Sequence, residues 1–327
     1  MRDKKKVNFT LTENALDFIQ EALARYNSAK IAKGINKKKD IKYSILNLNS
    51  GIELLLKQRL YSENWAYTVD NIDKNINKDI FLLGNFNSVR SEKAISRLEN
   101  LCEVKLSKSD KQILDELRKK RNQIEHFNIN DSMEALQSNI LMALSFAIRF
   151  ISNNLKHLKL SNSGNKILAE IKATSKEIEE LESARIELIS QQAKKDGTNL
   201  DTLFICPKCL KKLYYFIDGE NSECLYCNHR ASSEELAYSY LSNELGISEY
   251  SCAKDGDEWP LYICPFCGWE TLVRMINGDY LCFECGEYFH EDKIKFCLRC
   301  NTPNIEDEMV GEICKNCIDD IICNDIF

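Results

Sequence analysis

Proline and glycine are scarce in this chain of 327 residues, at four and twelve. That shortage excludes collagen-like and low-complexity classes, and it suits helices, whose interiors both residues disrupt. No apolar run is long enough to span a bilayer. The longest, "ILMALSFAIRFI", is too short and carries Arg149. The first residues, "MRDKKKVNFT", hold basic charge without the apolar core of a signal peptide. These absences lead us to expect a soluble, cytoplasmic protein with no membrane partner, and the length allows two or three domains.

Cysteine is absent from the first 205 residues except for Cys102, yet fourteen follow, twelve of them in C-x-x-C pairs. In an intracellular chain that is metal-site spacing, not a disulfide framework. Charge divides at the same place. Residues 204–327 hold 10 Lys+Arg against 23 Asp+Glu, a net of −13. The whole chain holds 44 against 50, so residues 1–203 hold 34 against 27, a net of +7. A basic half is joined to an acidic half.

The basic half reads as helices. "TLTENALDFIQEALARYNSAKIA" opens with a capping box, Thr10 with Glu13, and repeats apolar residues at 11, 15, 18, 22 and 26. "DIKYSILNLNSGIELLLKQRLYSEN" predicts a second, more buried helix. Residues 63–90 are Asn-rich and irregular. Helices follow near 91–101, over 109–127, and in "SMEALQSNILMALSFAIRFISNNLKHL", capped by Asp131 or Ser132. Five helices with short connections make a bundle. In residues 164–196, Ile171, Ile178, Leu181 and Leu188 sit at heptad-like positions in a charged background ended by Gly197. This is either a short coiled coil, a projecting helix, or one more bundle helix.

The acidic half contains an internal repeat. "ICPKCLKKLYYFIDGENSECLYC" and "ICPFCGWETLVRMINGDYLCFEC" align Cys for Cys, and "FCLRCNTPNIEDEMVGEICKNC" repeats the plan one residue shorter. Each C-x-x-C puts two sulfurs on one turn, and "DG" or "NGD" between pairs lets a hairpin return the second pair. Four thiolates at about 2.3 Å from one ion form the closed tetrahedral site of a structural zinc ribbon. Three quartets follow: Cys206, Cys209, Cys224 and Cys227; Cys264, Cys267, Cys282 and Cys285; Cys297, Cys300, Cys314 and Cys317. Sequential ribbons are favoured over cross-bracing of the last two, because eleven residues separate Cys285 from Cys297. Iron–sulfur ligation is the alternative metal chemistry. Four Cys leave no open position for water, so these sites are not catalytic. Cys252, Cys323, His229 and His290 are left over as packed or surface residues. A net of −13 repels phosphate, so the ribbons are expected to bind a regulatory or trigger protein rather than nucleic acid.

One stretch of the basic half stands out, "LDELRKKRNQIEHFNIND", residues 114–131. Ile113, Leu117 and Ile124 form an apolar stripe, while Asn122 and His126 are four apart on another side. At about 100° per residue, Arg121 and His126 point roughly 140° apart, so they converge only if the helix ends near His126 or a second copy faces it.

The R-N-x-x-x-H of "RNQIEH", with "LDELRKK" before it and "SGIELLLKQRL" earlier, resembles the HEPN family of small helical-bundle domains. The resemblance covers roughly residues 10–160. It implies a metal-independent endoribonuclease, acting as a toxin or anti-phage defence effector, with a composite site across a homodimer and an RNA substrate. Arg121 would hold the scissile phosphate, His126 would transfer a proton to or from the 2′-OH or the leaving oxygen, and Asn122 would orient them. Arg118, Lys119 and Lys120 would track the RNA backbone, and Glu53 and Lys57 would line the same cleft. The expected architecture is therefore mainly α. A HEPN-like bundle occupies 1–160 and a connecting helix or coiled coil 161–200. Zinc ribbon 1 with its following helix occupies 201–250, and zinc ribbons 2 and 3 occupy 251–327. The alternative is a non-catalytic adaptor, a dimerising bundle presenting three ribbons to a partner.

Overall fold

The computed structural model describes residues 9–72, 77–155, 160–256 and 258–324. It is mostly helical, and its contacts divide the chain into two compact units, Met1–Ile186 and Glu187–Phe327.

The first unit is an all-helical bundle. Its helices are α1 (Leu11–Ile31), α2 (Gly34–Glu63), the short α3 (Lys78–Leu82), α4 (Ser91–Leu101), α5 (Lys108–His126) and α6 (Met133–Asn154), joined by most of α7 (Asn162–Lys195). α1 starts at the capping box read from the sequence: the Thr10 side chain accepts from the Glu13 backbone, and the Glu13 carboxylate accepts from the Thr10 backbone. Its buried face centres on Ala15, Leu16, Ile19, Ala22, Leu23 and Tyr26. α1 lies closely against α2 at Gly51, where a Cβ would come within 2.6 Å of Ile19 Cγ1 and 3.0 Å of the Ala15 carbonyl oxygen. A helix-interior glycine is tolerated here because it lets two backbones approach. Ser44 adds a buried hydrogen bond from its hydroxyl to the Ala22 carbonyl.

Ser107 caps α5 in a second capping box with Asp110, and Ser132 rather than Asp131 caps α6. α6 is long and apolar enough to cross a membrane by composition, but 67% of that stretch is buried within the fold. Leu136, Ile140, Ala143, Leu144, Ala147 and Phe150 fill the bundle core with Leu48, Leu55 and Leu117. The open question over residues 164–196 resolves unevenly. Ile171 and Ile178 enter the bundle core, and Glu170 and Glu179 accept hydrogen bonds from Gln20 and Ser145. Leu181 and Leu188 remain 66% exposed. The first part of α7 is thus one more bundle helix, and the heptad apolar repeat does not continue into a buried seam. Gly197, at φ +86°, follows the end of α7 in the left-handed region.

The second unit is built of short hairpins. β1 (Tyr214–Tyr215) pairs with β2 (Glu223–Cys224), and α8 (Ser233–Ser239) follows, its last turn opening into a π-helical stretch that ends at Gly246. After α9 (Glu249–Asp255) come β3 (Leu261–Tyr262), β4 (Leu272–Arg274), β5 (Tyr280–Cys282) and β6 (Tyr288–Phe289), which form one antiparallel sheet in chain order. The "NGD" turn joins β4 to β5, with Gly278 at φ +95°. β7 (Ile294–Phe296) pairs with β8 (Pro303–Ile305), β9 (Met309–Val310) pairs with β10 (Ile313–Cys314), and α10 (Lys315–Asn324) ends the described chain.

The three repeats are not beads on a string. Phe204, Phe216, Tyr240 and Phe283 pack edge-on or tilted, with centroids 5.1–5.9 Å apart, joining the first repeat to the second. The Gly219 N–H also donates to the Glu284 carbonyl at 2.8 Å. Phe296 packs against Tyr262 and Tyr280, joining the second repeat to the third.

Candidate metal centres and candidate active site

The twelve cysteines come together as the three sequential quartets, each with its sulfurs within 4.8 Å of one another. Sγ–Sγ distances are 3.7 Å for Cys206–Cys227, 3.6 Å for Cys209–Cys224, 3.9 Å for Cys264–Cys285, 3.6 Å for Cys267–Cys282 and 3.8 Å for Cys300–Cys314. A disulfide needs about 2.05 Å. The edge of a tetrahedron with 2.3 Å metal–sulfur bonds is about 3.8 Å, so each quartet is shaped to hold one metal ion.

Local backbone explains the convergence. Five of the six C-x-x-C pairs share one turn. The N–H four residues after the first Cys donates to that Cys carbonyl, as from Leu210 to Cys206 and Gly268 to Cys264. The N–H of that Cys donates to the carbonyl five residues on, as from Cys206 to Lys211 and Cys264 to Trp269. Asn228, Gly286 and Asn301 fill the equivalent place in the other three. All five of these residues have positive φ, from +54° to +78°. The sixth pair, Cys314 and Cys317, sits instead at the end of β10 and the first turn of α10.

Donors surround the sulfurs. The Phe266 and Glu284 N–H groups lie 3.4 Å from Cys264 and Cys282 Sγ, and Cys314 N–H lies 3.3 Å from Cys297 Sγ. Thr271 and Thr302 hydroxyls reach Cys282 and Cys300. Such contacts favour thiolate. Within the first quartet the close pairing with Cys206 pulls Cys224 far down and pushes Cys209 far up. The two threonines escaped the sequence reading, since nothing in a hydroxyl's position marks it as a sulfur partner.

Among the described residues, the leftover His229, His290 and Cys252 belong to none of the quartets. His229 pairs with Glu235 at 3.2 Å, His290 is exposed beside Asp279, and Cys252 is buried away from the quartets. The side chain of Cys323 lies outside the described residues.

At the other candidate site, α5 does end at His126, which is exposed and has no hydrogen bond or ion pair among the described residues. Arg121 and Asn122 come together: Arg121 Nη1 donates to Asn122 Oδ1 at 2.9 Å. The same guanidinium pairs with Glu125 at 2.9 Å, and no hydrogen bond joins Arg121 to His126. Phe127, directly after His126, is 84% exposed.

The basic cluster departs from the expected track. Lys120 is 2% exposed and pairs with Asp131 at 2.8 Å, because its position falls on the core side of the helix beside Leu117. Arg118 bonds Asp115 and Glu92, and Lys119 bonds Asp115 and Glu116. Burial works against the Asp115 charge, but Lys119 and Arg118 outweigh it and hold its carboxyl below the ordinary value. Two of the three cations are therefore compensated locally and the third is interior. Glu53 and Lys57 pair with each other at 2.6 Å, and Lys57 faces a cavity to which α5 contributes nothing.

No protein family, curated protein or solved structure matches this chain.

Proposed function

We propose that this is a zinc protein in which three structural four-cysteine sites organise an acidic module, carried on a helical bundle that cuts RNA as a homodimer. Zinc suits four closely spaced thiolates in a closed, tetrahedral, water-free arrangement, and it needs no redox chemistry. The zinc sites stabilise structure and take no part in cleavage.

The observation that carries the ribonuclease reading is the end of α5. Arg121 and Asn122 are hydrogen-bonded as a unit, and the His126 side chain lies on the exposed last turn with no partner among the described residues. A second copy facing this end brings its own His126 or Arg121 to the phosphate, and exposed Phe127 supplies an apolar contact for that copy. Arg121 then neutralises the phosphate, and the imidazole moves the proton that 2′-OH attack releases or the leaving 5′-oxygen requires. The role as a toxin or defence effector follows from the resemblance to HEPN domains.

The adaptor reading has its own support, since Glu125 occupies Arg121 and the neighbouring cations are already paired. One experiment separates the two. Labelled RNA is incubated with the protein and with Arg121→Ala, His126→Ala and Glu125→Gln, without added magnesium. The ribonuclease reading expects cleavage that the first two abolish and the third preserves or raises, with zinc content unchanged. If no variant differs from the parent, the adaptor reading stands.

A further inference from the structure

The bundle contains a cavity of about 660 Å³, a volume typical of small-molecule sites. It is walled by the first turn of α1, the C-terminal third of α2, α3 and the residues that follow it, and Leu160 and Ser161 just before α7. None of its lining belongs to α5 or to a cysteine quartet. Three aromatic side chains form one wall: Phe81 stacks nearly parallel to Tyr61 at 6.1 Å and touches Phe86 at 4.7 Å. Trp65 backs Phe81 at 4.9 Å, so the rings hold one another and the wall is preformed. Leu11, Leu54 and Leu160 make further lining apolar.

The polar groups in this cavity are incompletely used. Lys57 Nζ carries three donors, of which Glu53 Oε1 takes one at 2.6 Å and Ser88 Oγ a second at 2.9 Å. Gln58 is 7% exposed; its Nε2 donates to Ser62, and its carbonyl oxygen has no partner among the described residues. Thr12 is 8% exposed, and its hydroxyl also has none. The Gln58 carbonyl and the Thr12 hydroxyl line the open space of the cavity rather than a sealed interior, and these two unpaired groups beside a spare ammonium donor mark a place for a ligand's polar end. Glu53 already balances Lys57, which disfavours a polyanion and suits a single acceptor group.

We propose that this cavity binds a small planar aromatic molecule of two or three fused rings, carrying one carbonyl or carboxylate. The rings stack on Tyr61, Phe81 and Phe86. The acceptor takes the third Lys57 proton, while Gln58 and Thr12 bind donors or a bridging water beside it. This inference is independent of the ribonuclease reading, because no lining residue belongs to α5.

The test uses the full chain with 2-naphthoate, 2-naphthamide and 2-methylnaphthalene as probes, followed by saturation-transfer NMR and calorimetry. The expected result is saturable one-to-one binding that Leu54→Trp, which fills the cavity, abolishes. Lys57→Met should weaken 2-naphthoate and 2-naphthamide at least tenfold and leave 2-methylnaphthalene unchanged. Should Leu54→Trp lose its helical circular dichroism, Tyr61→Ala replaces it and should weaken all three probes. Absence of saturable binding by every probe, or binding indifferent to Leu54→Trp and Tyr61→Ala alike, overturns the proposal.

Discussion

Three successive cations, Arg118, Lys119 and Lys120, look equivalent in a string of letters, but one turn of helix separates their environments. Lys120 and Asp131 are both 3% exposed at the side chain and pair at 2.8 Å. Removing one partner of a buried pair strands the other's charge, at about 3–5 kcal/mol. Lys120→Ala should therefore lower stability by about that much in urea denaturation, whereas Lys119→Ala, on a half-exposed side chain, should stay within about 0.5 kcal/mol. Equal costs would show that Lys120 is not interior in solution. Glycines in the metal turns divide the same way. Gly268 and Gly286 both have positive φ, but a Cβ on Gly286 would meet the Ile217 carbonyl oxygen at 2.4 Å, while one on Gly268 meets nothing within 4 Å. Both alanine variants carry the left-handed penalty of roughly 1–2 kcal/mol. Gly286→Ala should lose substantially more thermal stability than Gly268→Ala, read as the difference in melting temperature.

At the scale of elements, α7 shows where periodicity stops being informative. Ile171, Ile178, Leu181 and Leu188 satisfy one spacing, but only the first two meet apolar neighbours. Ile178→Ala should cost about 2–5 kcal/mol through the cavity it leaves. Leu181→Ala should cost no more than about 0.5 kcal/mol if that position faces solvent. A large loss at Leu181, especially one that grows on dilution, would reveal a partner helix on that face. α1, α5 and α6 were legible in outline because a capping side chain and an apolar stripe coincide in each, whereas α4, which starts after Arg90 without a side-chain cap, was legible from its stripe alone. The start of α2 at Gly34 was not, since "GINKKK" has no cap side chain and little apolar content.

For the whole molecule, the shared aromatic packing couples the first two metal sites. Phe283 touches Phe204, Phe216 and Tyr240, and it follows Cys282 directly. Phe283→Ala should weaken metal retention in the first and second quartets together, leaving the third less affected, as measured by metal content after graded chelation. Metal analysis of the parent should give three zinc ions per chain. Stripping them should unfold the module of residues 187–327 and spare most of the helical circular dichroism, which comes from the bundle. Helical signal lost in parallel with metal would contradict that separation.

The sequence by itself determined the C-x-x-C pairs, because that spacing is a local geometric constraint, and favoured their sequential grouping, which the tertiary structure then decided over cross-bracing. It likewise indicated the helices of the basic half outside the irregular stretch 63–90, and an end of α5 near His126, before "FNIND". Only the tertiary structure decided which cations are interior, which half of α7 is core, and that aromatic side chains weld the three repeats together. Each of those depends on neighbours distant in sequence: Asp131 for Lys120, the bundle helices for Ile171 and Ile178, and Phe204 for Phe283. The pairing of Arg121 with Glu125 belongs to the same class, since spacing allows it but only the surrounding structure selects it over a contact with His126.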